Sequence, residues 1–344
     1  HRPEASLGRV KDRDAASTVA LGLNRWPWHD ADSFARSVAD AEAAGLDWAY
    51  LPVNPLGVPD PYVLLAAAAR STTTIGLGTL LDTPRLRSGP VLAGSLATLA
   101  AVSMGRVMAT YGVGDTAVRW IGERPATVAE LEAATTTARH LLAGGRLDAA
   151  WGGHRLRHSL PAETEAPPVW VAAGGPRTLR MAGRVADGVF IRAGRHPRVL
   201  AHALATIAAG AREAGRDPAE IRLGAVVHTV RCADSREAEA IARAMTAGFH
   251  QYSPALFAQA ELAWDGPPVA ELAAQVRPDF HHASDLVAAG DVVSFLPEST
   301  AQWFCFVGTD AEIADQFRRL RSAIPALEVL VAHPVPNPVG PEGV

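Results

Sequence analysis

Eight short apolar runs, nearly all followed by a stretch of helical periodicity, constrain this chain more than any other feature. In order they are TVALGL (18–23), WAYLPV (48–53), TIGLGTLL (74–81), GRVMATYGVG (105–114), VWVAA (169–173), GVFI (188–191), IRLGAVVHTV (221–230) and LEVLVAHP (327–334). Short runs rich in β-branched and aromatic residues and bounded by Gly or Pro read as buried strands. Between them lie patterns such as DADSFARSVADAEAAG, where Phe34, Val38 and Ala41 recur at helical spacing behind an Asp cap. Strict βα alternation of this length predicts one α/β domain over 1–344, a (β/α)8 TIM barrel with its reactive groups at the carboxyl ends of the strands. A doubly wound open sheet is the competing topology, but the first βα unit has no G-x-G-x-x-G and the chain has no P-loop. The stretch 147–168 reads as irregular. Residues of about 243–300, helical in places and without a strand, read as an insertion between strands seven and eight that covers the barrel mouth.

Composition removes several function classes. The chain has a single lysine, Lys11, against 31 arginines, and an arginine cannot form a Schiff base, so a lysine aldolase is excluded. A net charge of −4 and a pI near 6.3 argue against nucleic acid as partner. Cys232 and Cys305 are far apart with no C-x-x-C, which speaks against a disulfide framework and for a reducing cytoplasm. No signal peptide and no run of ~18 apolar residues is present, so a soluble protein without membrane contact is expected. With no H-x-H or H-E-x-x-H, no metal site is expected.

The segment VWVAAGGPRTLRMAGRVADGVFIRAG, residues 169–194, carries the sharpest local signal. A strand, a glycine pair, a proline in the first turn and then a helix leave backbone N–H groups pointing past the strand's carboxyl end. That is a place for an anion. From Arg177 to Arg198, six arginines (177, 180, 184, 192, 195 and 198) stand against one acid, Asp187.

Three motifs in register, YGVGDTAVRWIGERPATVAELE, PPVWVAAGGPRTLRMAGRVADGV and FCFVGTDAEIADQFRRL, resemble the bacterial luciferase-like superfamily. The likeness is to its deazaflavin branch, similar to methylenetetrahydromethanopterin reductase and other coenzyme F420-dependent oxidoreductases, and it runs from about Leu21 to Val335. The resemblance implies a barrel that binds coenzyme F420, or alternatively flavin mononucleotide (FMN), across its mouth. Its phosphate would sit at Ala173, Gly174, Gly175, Arg177 and Thr178, joined by Ala193 and Gly194. Arginines around this segment suit the polyanionic tail of F420. Thr79 and Leu80 match the strand end that backs the ring, Gly112 and Gly114 match a close backbone approach to it, and Asp115 matches an acid near the substrate or, read locally, a helix cap.

The implied reaction is hydride transfer between F420 and a small organic substrate. One alternative is an FMN-dependent monooxygenase that uses dioxygen and reduced flavin from a partner reductase. A second is a non-catalytic flavin-binding protein. A homodimer is also implied, with the apolar helix Pro90 to Val102 as its face. One departure matters. Where the branch often carries Asp-His after the second strand, this chain has Val53-Asn54, and asparagine cannot carry a proton at neutral pH. The proton carrier is then sought among His29 in NRWPWHD, whose Trp26 and Trp28 could wall a pocket, His228 and His333 at strand ends, and His281 and His282 in RPDFHHASD. His282, with Asp285 after it, is the first choice.

Overall fold

The computed structural model describes residues 19–24, 26, 30–149, 152–157, 165–231 and 234–335. Strands β1 (Ala20–Asn24), β2 (Trp48–Leu51) and β3 (Gly76–Thr79) are each followed by a helix, α1 (Ala31–Ala43), α2 (Pro61–Ser71) and α3 (Gly89–Ser103). After β4 (Val107–Tyr111) come a short α4 (Thr116–Arg119) and then α5 (Val128–Leu142). A hairpin of β5 (Arg146–Ala149) and β6 (Gly152–Arg155) leads to β7 (Val169–Ala173), α6 (Pro176–Val185), β8 (Gly188–Ile191) and α7 (Pro197–Glu213). From β9 (Arg222–Val230) the chain passes through α8 (Ser235–Tyr252), α9 (Ala255–Ala260), α10 (Val269–Ala273), α11 (Leu286–Val292) and α12 (Glu298–Ala301). It returns by β10 (Cys305–Val307) and α13 (Asp310–Ala323) to β11 (Val329–Val335).

Eight parallel strands close the barrel in the order β1-β2-β3-β4-β7-β8-β9-β11, with β11 pairing back onto β1. They coincide with the eight apolar runs. Two elements were not expected from the sequence. The stretch read as irregular begins with the antiparallel β5–β6 pair, whose residues Arg146, Leu147 and Asp148 are exposed and so carry no alternation to read. The three residues of β10 add to β9 beyond β8, since β8 pairs with its first half and β10 with His228 to Val230. Among the described residues no helix is long and apolar enough to cross a membrane. Helix α3, expected as a dimer face, buries Leu92, Leu96 and Leu99 and leaves Val91 and Val102 exposed.

Side chains alternate across each strand, one set outward to the helices and one set inward. The inward set forms its own cluster, in which Tyr50, Met108, Trp170, Phe190, Val226, Val329 and Val331 are buried. Its large rings are accommodated by glycines on neighbouring strands. Trp48 is in register with Gly76, Tyr50 with Gly78, Trp170 with Gly188 and Phe190 with Gly224. A Cβ on those glycines would lie 2.4, 2.9, 2.3 and 2.6 Å from the respective ring, closer than packed atoms approach. The lower barrel is therefore a solid stack of rings, held to one arrangement by where side chains are absent.

Candidate active site at the barrel mouth

Continuing the inward alternation to the carboxyl ends changes the chemistry of the interior from aromatic to polar. Above Gly22 comes Asn24, above Met108 comes Thr110, above Phe190 comes Arg192, above Val226 comes His228, and above Val331 comes His333. The Asn24 amide donates to the Leu80 carbonyl at 3.0 Å and lies 3.0 Å from His333 Nδ1, so that nitrogen accepts and His333 carries its proton on Nε2. Asn24 is 1 % exposed, and its Oδ1 has no hydrogen-bond partner among the described residues. The Leu80–Leu81 peptide beside it is cis.

The residues between β9 and β11 bring a second set of groups to these strand ends. The His281 ring packs against Phe249 and Tyr252 of α8 and against His228, with centroids 5.0 Å apart for the two histidines. Gly248 leaves it room, for a Cβ there would meet the ring at 2.1 Å. Burial and the neighbouring His282 push the His281 imidazole down to about 3, so it is neutral at physiological pH. Its Nε2 donates to the Met245 carbonyl at 2.9 Å.

His282 is held differently. Its Nδ1 lies 2.8 and 3.1 Å from the two oxygens of Asp279 and 3.0 Å from Thr116 Oγ1. Asp279 also accepts from the backbone N–H groups of His281 and His282, at 2.9 and 3.1 Å. Burial would raise the Asp279 carboxyl, but the His282 ring and its charge hold it down at about 2, and the group is ionised. An ionised carboxylate on Nδ1 fixes the imidazole tautomer and leaves Nε2 to exchange a proton, the arrangement of a base and its orienting acid. The Tyr252 phenol bridges Asp279 and Asp115, and burial together with these carboxylates raises its pKa, so it stays protonated. Asp115 occupies the N-cap position of α4 without a side-chain cap bond and pairs instead with Arg119.

Asp285, expected beside His282, is elsewhere. It caps α11, accepting from the Ala288 N–H at 2.9 Å, and the partner of His282 is Asp279. The sequence signal for it is the spacing: a carboxylate three residues before a histidine reaches that ring within one turn.

At the phosphate segment, α6 begins at Gly175 with Pro176 in its first turn and no side-chain cap. Helices α5 and α13, by contrast, are closed by full capping boxes, Thr127 with Glu130 and Thr309 with Glu312. A Cβ on Gly175 would meet nothing within 4 Å, whereas one on Gly174 would lie 2.3 Å from the Arg192 carbonyl, so the turns after β7 and β8 touch while the helix end stays open. Gly194 adopts φ +72° under the Trp303 carbonyl. Open N–H groups and the absence of a capping side chain suit an anion, so these residues fit a phosphate group. The local arginine excess is partly an effect of counting along the chain. Arg180 pairs with Glu213, Arg184 with Glu132 and Arg198 with Glu261, and Arg195 donates to the Gln302 carbonyl. Arg177 is exposed, Thr178 is half-buried, and Ala173 and Ala193 are buried.

The remaining expected positions are placed as follows. Thr79 alternates away from the barrel interior toward Tyr62, while Leu80 belongs to the inward cluster. Gly112 and Gly114 make room for protein side chains, Leu81 and Thr83 respectively. Asn54 accepts from the Leu56 N–H at its Oδ1, 3.2 Å away, and lines a cleft of about 440 Å³ with Asp60 and Arg87, to which no histidine contributes. Trp26 is core, 3 % exposed, and donates to the Tyr50 carbonyl; Trp28 and His29 lie outside the described residues.

A luciferase-like monooxygenase family model matches residues 10–326. The 5,10-methylenetetrahydromethanopterin reductase of Methanolobus tindarius is 32% identical over 206 residues, covering 57% of this chain and 60% of that protein. An F420-dependent glucose-6-phosphate dehydrogenase of Rhodococcus jostii is 33% identical over 201 residues, covering 53% of this chain and 59% of that protein. These matches thus span about three fifths of the relatives' own length. In fold, the chain is similar to the coenzyme F420 dependent tetrahydromethanopterin reductase of Methanopyrus kandleri, with a TM-score of 0.69 over 95% of both chains at 22% identity.

Proposed function

The chain belongs to the luciferase-like monooxygenase family, and from that premise we propose that it is an oxidoreductase passing a hydride between coenzyme F420 and a small organic substrate. The observation that carries the cofactor assignment is the open start of α6, where Gly175 faces free space and no side chain caps the helix. The names of the relatives just described favour F420 over FMN.

When bound, the cofactor supplies the hydride chemistry at its ring. Gly174, Gly175, Arg177 and Thr178, with Ala193 and Gly194, would hold its phosphate. Leu80 belongs to the strand end that would back the ring, while Gly112 and Gly114 let Leu81 and Thr83 pack behind it. Asp279 keeps the His282 proton on Nδ1, and Nε2 takes a proton from the substrate or returns one, the role that Asn54 cannot fill. Tyr252 holds Asp115 and Asp279 to a shared proton, tying the end of β4 to the segment after α8.

Titration of the purified protein with oxidised F420 and, separately, with FMN, followed by fluorescence, tests the reading in wild type and Gly175→Asp. An aspartate at this N-cap stabilises α6, so the variant folds, yet its carboxylate takes the place of the phosphate. F420 affinity is expected to fall at least about tenfold in the variant. Unchanged affinity would refute the phosphate site, and binding of FMN alone would move the reaction to the dioxygen-using monooxygenase.

A further inference from the structure

Arg192 stands out in the barrel mouth for what it does not touch. Its backbone N–H donates to the Ala173 carbonyl at 2.8 Å, which continues β8 by one residue past Ile191. Gly188 and Phe190 of that strand face the inner cluster while Val189 and Ile191 face the helices, so the alternation turns Arg192 inward, onto the tier of Asn24, His228 and His333. Among the described residues its guanidinium makes no ion pair and no hydrogen bond. Asp115 is near enough to act on it electrostatically, but that carboxylate already pairs with Arg119. The ring stack below offers it no carboxylate.

A guanidinium carries five fixed donors and keeps its charge even where burial opposes it. Arg192 is half-buried, and a guanidinium turned toward an open mouth with no acid paired to it keeps its donors free for an anion that enters there. A second unfinished group on the same tier, the Asn24 Oδ1, is a buried acceptor without a donor. Of the other arginines of this region, Arg180, Arg184, Arg195 and Arg198 have acids or carbonyls of their own, and Arg177 is exposed on α6. The α6 start, where the cofactor phosphate is assigned, lies outside the strand ring, whereas Arg192 points inside it.

We propose that Arg192 is the anion receptor of the substrate pocket, and that the substrate carries a carboxylate or phosphate which this side chain clasps in a bidentate pair. The proposal deepens the functional reading above and rests on it only in assigning the anion to the substrate of that reaction.

Unfolding midpoints are measured against rising inorganic phosphate and, in parallel, acetate, at ionic strength held constant with chloride, for wild type, for Gly175→Asp, and for Arg192→Gln and Arg192→Lys each alone and combined with Gly175→Asp. With the α6 site blocked by Gly175→Asp, saturable stabilisation is still expected, about 30-fold weaker in apparent affinity when Arg192→Gln is added and intermediate with Arg192→Lys. The stronger of the two anions identifies a phosphate ester or a carboxylic acid. Without anion, Arg192→Gln should unfold no earlier than wild type, because it removes an uncompensated charge, whereas a structural arginine would be missed. Stabilisation that survives in Arg192→Gln but vanishes in Gly175→Asp would put the anion at α6 and overturn the proposal, as would no saturable effect in wild type. F420 affinity that falls in Arg192→Gln as far as the anion affinity would also overturn it, by giving the side chain to the cofactor. Wild type that binds phosphate but not F420 would defeat the cofactor reading and leave the anion site standing.

Discussion

The lower and upper halves of the barrel interior are built from the same strands and obey opposite rules. Below, Trp48, Tyr50, Trp170 and Phe190 lie over glycines of neighbouring strands, and every inward position is filled or deliberately small. Above, on continuations of those strands, Asn24 and Thr110 keep oxygens without partners, Arg192 has no counter-ion, and three histidines crowd within ring contact. The lower half is packed ring on ring, with the Trp170 indole N–H as its one unpartnered polar atom among the described residues, and stabilises the fold. The upper half has left polar groups for something else to satisfy, and groups of that kind gather where ligands bind.

Substitutions in the two halves should therefore separate stability from activity. The largest effect is expected below. Phe190→Ala removes a ring that touches Tyr50 and Trp170 and should lower stability by about 3–5 kcal/mol, read as a fall in the denaturation midpoint. Turnover per folded molecule should persist. Next, His282→Ala should reduce turnover about 100-fold while leaving F420 affinity and the unfolding midpoint near wild type. A variant that loses stability instead would assign His282 to packing and break the contrast.

The third test uses acid. Asp82, fully buried at the rim after β3, accepts from Tyr62 at 3.1 Å and from the Thr83 N–H at 2.7 Å. Burial raises its carboxyl to about 6 even though Arg87 is 3.5 Å away. Its folded pKa exceeds the unfolded value, so its ionisation weakens the fold above about pH 6, and that penalty is relieved as the pH falls toward 4. Asp82→Asn should be more stable than wild type at pH 8, on the order of 2 kcal/mol, with the gap closing by pH 4. His281 works the other way. Its pKa is depressed to about 3, so its contribution is present above the unfolded value near 6.5 and lost as the pH falls toward 3. Urea midpoints across this range, in wild type and Asp82→Asn, resolve the two opposing slopes.

The barrel was legible in the sequence because its strands are buried on both sides, and a strand without a wet face is an uninterrupted apolar run. The β5–β6 hairpin was not, because it has no buried face to mark it. The site was legible in part. Gly174 and Gly175 stand where a strand–turn–helix pattern puts them, and His282 is in the mouth. In the sequence two acids, Asp279 and Asp285, flank the histidine pair, and only the folded turn selects Asp279. Arg192 was counted with its neighbours as a charge along the chain. Its parity with Gly188 and Phe190, two residues apart each time, already separated it from the others.

The stack of rings over glycines makes the barrel a vessel with one opening. Whatever enters the interior must therefore enter and leave past the strand carboxyl ends, so traffic is set by the floor of the barrel as much as by the loops around its mouth.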